Sequence, residues 1–271
     1  MDCELRGIGC GGDLEPGTMH YFITGGDGPD VWRSTRGAFP PNDVSLQWLD
    51  MWVQTQNHTL SFSRDDKDDS SSNVVDFHVH NTTTSGLVSR WNLVQHLMKR
   101  PVTYEEIHDD ELKSGSLTFD SQKLKQSVEI IGSCLIEIKL EALDAHDAVI
   151  FAYLEDIDEE SNKVHYVTEG QVRASHASKP SNRRPGAIDS VTRSYRRSER
   201  RKLEGEITVS IVLEPIAYVF PVNHSIRVRF TGSDSHNFYL GAFDGLATTW
   251  RVFQDGTRIR LPVVGGDGAS L

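Results

Sequence analysis

Two segments in which apolar and polar residues alternate constrain the fold more than any other feature of the sequence. Residues 207–213, ITVSIVL, and residues 226–230, IRVRF, each place an apolar side chain at every second position. A period of two directs one face of a β-strand to a core and the other to water. Between them, Pro215 is expected to end the first strand, residues 218–220 to form an aromatic crossover, and residues 221–224 to turn the chain. The sequence therefore predicts a β-sandwich.

Other strand candidates follow one another at short intervals, which is typical of an all-β sandwich. The acidic run 155–160 is expected to form a turn between two of them, and Asp255-Gly256 to form the turn of a C-terminal hairpin. Apolar residues at near-helical spacing in residues 87–101 predict one short helix. Strands are expected in residues 19–24, 46–53, 60–62, 75–80, 117–119, 128–140, 148–154 and 164–167.

The charge and the cysteines exclude several classes of partner. A formal net charge of −11 argues against a nucleic acid or an anionic membrane as the partner of the whole chain. The one basic segment, residues 179–202, carries a single aromatic residue, so we expect an interface or salt-bridging loop there. No stretch approaches the roughly 20 apolar residues of a membrane span, and no signal peptide is readable. With Cys3, Cys10 and Cys134 in no disulfide pattern, we expect a cytoplasmic protein.

The sequence lacks the Gly-x-Ser-x-Gly elbow of an α/β-hydrolase. The nearest segment, residues 232–236 (GSDSH), lacks the second glycine, and adjacent residues do not ordinarily reach triad geometry. His78 and His80 have no third metal ligand nearby, and the acidic run 65–69 lacks EF-hand spacing. The glycine cluster 25–28 does not lead into a helix, as a phosphate cradle requires. We expect no catalytic residue, no metal site and no cofactor in this chain.

Three segments carry a resemblance to a known family. Residues 213–238 contain a strand, the aromatic step Tyr-Val-Phe, a second strand and a Ser/Asp-rich stretch ending in Asn-Phe. Residues 151–176 read FAYLEDIDEESNKVHYVTEGQVRASH, and residues 19–34 are a third, weaker match. These segments resemble the C-terminal jelly-roll domain of the X-prolyl dipeptidyl-peptidase and cocaine-esterase family of serine hydrolases. Asn223 and Ser225 depart from the glycine and arginine that the family usually has there.

The resemblance implies a jelly-roll β-sandwich of the galactose-binding type, with long loops and one or two short helices. It implies that residues 1–44 follow a hydrolase domain, that residues 45–264 form the sandwich, and that residues 265–271 form a disordered tail. In the relatives the hydrolase domain, with its catalytic serine, acid and histidine, precedes the jelly roll.

The resemblance therefore makes this chain a non-catalytic domain of a hydrolase of peptide or ester bonds. Its expected partner is an α/β-hydrolase domain, in cis or in trans, and a homo-oligomer remains open. Residues 1–7 resemble the helix end just after the catalytic histidine of the relatives, so the triad is expected to lie outside this chain.

A free-standing carbohydrate-type binding module is the alternative function, because jelly rolls of the galactose-binding type bind sugars with loop aromatics and carboxylates. Fold alone does not decide between the two functions. Tryptophans offer large apolar faces on which a sugar could stack. The candidates for such stacking are Trp48, Trp52, Trp91 and Trp250.

A domain that evolved against a hydrolase domain should carry an apolar patch that no part of the chain itself covers. We expect this patch in the strands of residues 19–23 and 46–53 and in the loop 233–239, with arginines of the basic segment beside it. At least one of four aromatic residues should be exposed. The candidate interface residues are Trp48, Trp52, Phe238 and Tyr239, together with Arg193 and Arg197.

Overall fold

The computed structural model describes residues 17–25, 31–64, 71–76, 116–161, 163–176, 185–186, 196–232, 234 and 249–265. Within these ranges the chain forms fifteen β-strands and two 3₁₀ turns, so the expected all-β class is confirmed. No helix in the described ranges is long and apolar enough to cross a membrane. The expected helix at residues 87–101 lies outside them. The turns are Ala174–His176 and Arg197–Glu199, and the strands are β1 Thr18–Gly25, β2 Val31–Arg36, β3 Leu46–Gln54, β4 Thr59–Ser61, β5 Ser72–Asp76, β6 Ser116–Ser121, β7 Val128–Gly132, β8 Leu135–Ala142, β9 Val149–Asp158, β10 Lys163–Arg173, β11 Glu206–Val212, β12 Ile216–Phe220, β13 Ser225–Thr231, β14 Thr249–Phe253 and β15 Arg258–Val264.

The strands belong to one branched, curled sheet. Its longest path runs β10-β9-β13-β6-β4-β3-β15-β7-β12-β1-β2. A branch starts where β15 also pairs with β8, which in turn pairs with β11 and β14. Side chains from the path and from the branch share one hydrophobic cluster, including Met51, Ile138, Leu154, Val209 and Phe230. The sheet therefore closes around a common core, in keeping with a sandwich, while the jelly-roll connectivity stays a prediction.

The two alternating segments form strands β11 and β13, as expected, and their apolar residues lie in the core. The expectation that the opposite face of β13 meets water is wrong for Arg229. That side chain is buried although it lies on the face of β13 opposite Ile226, Val228 and Phe230. Its Nε donates to Glu155 at 2.8 Å and its Nη1 donates to Ser116 at 3.0 Å, so a buried ion pair replaces solvent there.

The acidic run 155–160 is not the turn that its composition suggests. Strand β9 continues to Asp158, and the turn begins only at residue 159. Glu155 and Asp156 are buried inside the strand pairing of β9 with β10 and β13. A charged run can stay in a strand when cross-strand partners compensate for its burial, and these partners come from distant parts of the sequence.

The aromatic residues 218–220 form a strand instead of a crossover. Strand β12 pairs antiparallel with β7 and parallel with β1, so it lies inside the sheet. The following turn, residues 221–224, is present as expected. Asn223 adopts φ 67°, a left-handed conformation that asparagine tolerates better than most residues. This explains how the turn forms where the family usually has glycine.

Asp255-Gly256 does form a turn, with φ 84° at the glycine, but it does not close a hairpin. Strands β14 and β15 pair with successive halves of β8, both antiparallel to it, and the opposite edge of β8 pairs with β11. Because one edge of β8 holds both strands, they run in the same direction. The turn therefore bulges out between two strands that follow one another along the same edge of β8, and the expected C-terminal hairpin is wrong.

Strands β1 and β2 form an antiparallel hairpin at the end of the longest path, with β2 at the edge. On the inner side of the hairpin, Tyr21 and Ile23 pack with Ile131 and Ala217 in a second, smaller hydrophobic cluster. The hairpin is thus attached to the sheet through β12 and a core of its own.

Candidate interaction surface

Trp48 and Trp52 of β3, two of the predicted interface residues, lie on one face of the strand and are half-buried. The Arg260 guanidinium lies 5.0 Å from the centre of the Trp48 ring, and that of Arg258 lies 5.3 Å from the centre of the Trp52 ring. Asp50, between the two tryptophans, accepts a hydrogen bond from Arg260 at 2.8 Å. The side chains of β15 therefore cover the tryptophans with paired charges, and this face is mixed in character instead of apolar.

Asp147 holds the described part of the basic segment, residues 196–202, in place. This fully buried carboxylate accepts hydrogen bonds from Arg200 at 2.9 Å and from Arg173 at 2.7 Å. Arg197, a predicted interface residue, lies in the 3₁₀ turn Arg197–Glu199 and is exposed. The turn thus presents Arg197 to solvent on a backbone that Asp147 holds in place.

The other three candidate interface residues, Arg193, Phe238 and Tyr239, lie outside the described residues. Their part in an interface stays a prediction, as does that of Trp48, Trp52 and Arg197.

The outer face of the β1–β2 hairpin exposes apolar side chains side by side. Phe22 and Trp32 stand directly opposite each other in the strand register, with ring centres 4.9 Å apart. Trp32 is 69% exposed and Phe22 37%. Met19 and Val31 are also exposed, but the strand register places them on the opposite face of the hairpin, with Tyr21 and Ile23. We call Phe22 and Trp32 the hairpin surface. Strand 19–23 was expected to contribute to an exposed apolar patch, and Met19 and Phe22 are exposed.

Trp32 was not among the expected interface residues, although the sequence carries a signal for it. Because Tyr21 and Ile23 are the apolar inner positions of β1, Phe22 must point outward by the alternation of a strand. Trp32 faces the same side only because the hairpin register pairs it with Phe22. The register depends on the structure of the hairpin, and alternation within one strand does not reveal it.

A buried acid–histidine cluster joins strands β9 and β12 to the turn of residues 221–224. Asp156 accepts a hydrogen bond from the Tyr218 hydroxyl at 2.8 Å and lies 2.9 Å from His224 Nδ1. Burial raises the pKa of Asp156, and the hydrogen bonds from Tyr218 and His224 oppose that rise. The described residues place no serine or cysteine in hydrogen-bond contact with the His224 ring. The cluster therefore ties the turn to β9 and lacks the nucleophile of a hydrolytic triad.

The segment 232–236 contains the three residue types of a catalytic triad, Ser, Asp and His, as neighbours in the sequence. The structure describes only residues 232 and 234 of it. Asp234 is fully buried and accepts a hydrogen bond from the Tyr153 hydroxyl at 2.8 Å. Among the described residues, no group of three or more His, Cys, Asp or Glu side chains could hold a metal ion. His78 and His80 lie outside them.

The stacking platforms of the carbohydrate alternative are not available in the described residues. Trp250 has no exposed surface, because it packs in the core, so its expected role is wrong. Trp48 and Trp52 are covered by arginines, and Trp91 lies outside the described residues. An open groove of about 680 Å³ lies near the β3–β4 turn, and no tryptophan lines it. The groove residues are Gln54, Asn57, Thr59, Leu60, Ser61, Phe62, Ser63, Arg64 and Gln122.

The described residues form an all-β domain with internally paired polar clusters and an exposed aromatic hairpin. Residues 14–240 match the family described as the X-Pro dipeptidyl-peptidase C-terminal non-catalytic domain. The chain belongs to this family, and the resemblance of the three sequence segments is confirmed.

Two curated relatives are putative serine esterases from Mycobacterium bovis and Mycobacterium tuberculosis. Each is 29% identical to this chain over 272 residues, a match that covers 97% of this chain and 40% of the relative. The chain thus spans about two fifths of the length of these relatives, and the rest of each relative has no counterpart here.

Solved structures share the fold at low sequence identity. A CocE/NonD family hydrolase from Staphylococcus aureus superposes with a TM-score of 0.59 at 16% identity, over 90% of this chain and 41% of that one. An aminopeptidase from a marine-sediment Thaumarchaeota archaeon gives 0.59 at 13% identity, over 89% and 40%. An α-amino acid ester hydrolase gives 0.54 at 13% identity, over 79% and 36%. In each case the matched part is the minority of a larger hydrolase.

Proposed function

We propose that this chain serves as the C-terminal β-sandwich domain of a serine hydrolase that cleaves ester or peptide bonds. Its role is to pack against the α/β-hydrolase domain, cover part of that domain's surface and shape the entrance to the substrate site. Residues 1–44 lead from the hydrolase domain into the sandwich of residues 45–264, and residues 265–271 form the tail. The catalytic serine, acid and histidine belong to the partner domain.

One observation carries the proposal. The chain matches a non-catalytic C-terminal domain family over residues 14–240, yet it covers only 40% of the putative serine esterases it resembles. The polar clusters support the same role. Asp156 and His224 are bound to each other and to Tyr218, and Asp147 is bound to arginines and backbone N–H groups. These groups hold the sheet together and leave no assembled nucleophile among the described residues.

The names of the similar proteins indicate the substrate class. They include a serine esterase, an aminopeptidase and an α-amino acid ester hydrolase. An ester and a peptide are both acyl compounds, and one Ser-His-Asp site with an oxyanion hole can cleave either. We therefore propose acyl-bond hydrolysis as the activity of the complete enzyme.

A chimera tests the proposal. The part of the Mycobacterium tuberculosis putative serine esterase that matches this chain is replaced by the chain itself, and turnover is measured on p-nitrophenyl esters and X-Pro-p-nitroanilides. The chain alone should give no turnover. The chimera should hydrolyse one of the two substrate types, and a serine-directed phosphonate should abolish that activity.

The control is a second chimera that carries an unrelated β-sandwich in the same place. Equal activity and thermal stability of the two chimeras would show that this domain gives the hydrolase domain no specific support. Turnover by the chain alone, if the phosphonate abolished it, would show that the chain carries a catalytic site of its own.

A further inference from the structure

We propose that the hairpin surface, formed by Trp32 and Phe22, is where the α/β-hydrolase domain docks on this domain. The inference rests on the proposed function, because it names the surface through which that function is exerted. It commits to one occupant, the catalytic domain of a family hydrolase, and it assigns the main anchoring contact to Trp32.

The large exposed surface of Trp32 indicates a binding partner that covers it. A tryptophan that is 69% exposed leaves a large apolar surface in water, and tryptophan is the residue most often found as the anchor of a protein interface. Phe22 lies beside it at 4.9 Å between ring centres, so the two rings form one continuous apolar area. Polar groups border it: on the same outer face, His20 and Ser34 are hydrogen-bonded to each other at 2.7 Å. An apolar centre with a polar rim is the usual anatomy of an interface.

Other exposed apolar side chains of the described residues do not form such an area. Val74, Leu143 and Val222 lie on separate elements. The tryptophans of β3, which were expected to form the patch, are covered by arginines that are themselves paired with carboxylates. Isolated exposed apolar residues are ordinary on a protein surface, whereas adjoining aromatic rings are not.

Chain connectivity selects the hydrolase domain as the occupant. The family is a C-terminal domain, so in its larger members the catalytic domain lies before the matched segment. That segment begins at residue 14, and the hairpin is the first element of the described residues, starting with β1 at Thr18. Four residues span at most about 14 Å, so a catalytic domain that ended at the start of the matched segment would lie close to this hairpin. Such a short tether gives the two surfaces a high effective concentration, and a modest apolar contact then suffices for docking.

The test uses the chimera described above, with a protease site inserted ahead of residue 14. Hydroxyl-radical footprinting compares the oxidation rate of Trp32 in the chimera and in the chain alone. After cleavage at the inserted site, the dissociation constant of the two halves is measured by sedimentation for the wild type and for Trp32→Ser. The matched control is Val222→Ser, which removes a side chain that is 41% exposed but lies at the β12–β13 turn.

We expect Trp32 to oxidise severalfold more slowly in the chimera than in the chain alone. Loss of an anchoring tryptophan should raise the dissociation constant by about 30-fold. Val222→Ser should leave that constant unchanged. Because Trp32 is exposed, both variants should unfold in urea at the wild-type midpoint when the chain is studied alone, which excludes a folding defect as the cause.

The other outcomes separate the two proposals. If the wild-type halves stay bound, but Trp32 is oxidised equally in both proteins and Trp32→Ser binds as tightly as Val222→Ser, the hairpin inference is wrong and the proposed function stands. If the wild-type halves separate and the chimera is no more active than its unrelated-sandwich control, the proposed function fails and the inference with it. If Trp32 in the chain alone were protected from oxidation, and this protection grew with protein concentration, the surface would bind a second copy of this chain and the hairpin inference would be wrong.

Discussion

The buried carboxylate of Asp147 offers a quantitative test of how the sandwich holds its basic segment. Its Oδ1 accepts the backbone N–H groups of Ala148 at 3.0 Å and Ser175 at 3.1 Å. Its Oδ2 accepts hydrogen bonds from Arg173 at 2.7 Å and Arg200 at 2.9 Å. Asp147→Ala removes both acceptors at once and leaves four donors without their partner.

The magnitude follows from where those donors lie. The two N–H groups lose a buried acceptor, and an unsatisfied buried donor costs about 1–3 kcal/mol. The arginine side chains are 39% and 40% exposed, so water can solvate them and each pair adds at most about 1 kcal/mol. Removing the desolvated carboxylate offsets part of the loss. We expect Asp147→Ala to lower the free energy of unfolding by about 3–5 kcal/mol, the range for breaking a buried ion pair.

The assay is urea denaturation followed by tryptophan fluorescence, because Trp250 lies in the core and reports on its unfolding. Glu141→Ala is the matched control. Its partner Arg251 is 38% exposed and Glu141 is 28% exposed, so the loss should stay below about 1 kcal/mol. Asp147→Asn keeps an oxygen for the two N–H groups, and its effect should fall between the two alanine variants. Trypsin should cleave residues 196–202 faster in Asp147→Ala than in Glu141→Ala.

Equal destabilisation by Asp147→Ala and Glu141→Ala would refute this reasoning. It would mean that the buried N–H groups find another acceptor, and that the basic segment is held by contacts other than those to Asp147.

Three further results are expected. A β-carbon at Gly132, φ 111°, would overlap the Gly186 backbone, so Gly132→Ala should lower the free energy of unfolding in urea by about 3 kcal/mol. Gly205 lies in open space at φ 65°, so Gly205→Ala should cost only about 1–2 kcal/mol. Equal losses in the two variants would contradict the overlap. Burial raises the pKa of Asp156 above its ordinary 3.8, so the stability this carboxyl contributes is complete below that value and is lost as pH rises through the folded-state pKa. The free energy of unfolding of the wild type should therefore fall relative to Asp156→Asn as the pH rises above about 4, and a difference that stays flat would contradict the raised pKa. Burial also raises the pKa of the Cys134 thiol, which keeps the thiol unreactive in the folded chain. In a variant whose other two cysteines are replaced by serine, a disulfide reagent should therefore react with Cys134 only as the chain unfolds. Fast labelling of the native state would show instead that the thiol is accessible.

The sequence by itself determined the all-β class and the location of most strand cores. Alternation is a local property that follows from strand geometry, and it correctly located β11, β13 and the pair β3–β4. The family resemblance depended on short segments and was also readable without coordinates. The candidate site was predicted only in part: strand 19–23 contributes Phe22 to the hairpin surface, while Trp32 was missed.

The tertiary structure decided what depends on partners far away in the chain. Glu155 and Asp156 remain in a strand because Arg229, Tyr218 and His224, more than 60 residues later, compensate for their burial. Their acidic run alone is typical of a turn. The Asp255-Gly256 turn fails to make a hairpin for a similar reason, because β8 holds both neighbouring strands on one edge.

The surface was decided in the same way. Trp48 and Trp32 are both strand tryptophans with one polar and one apolar neighbour in the sequence, and nothing local distinguishes them. Trp48 is covered because the neighbouring strand β15 carries Arg260, whereas Trp32 is exposed because β2 ends the longest path of the sheet. Exposure depends on which strand lies beside a residue, and strand order is a property of the fold and not of the local sequence.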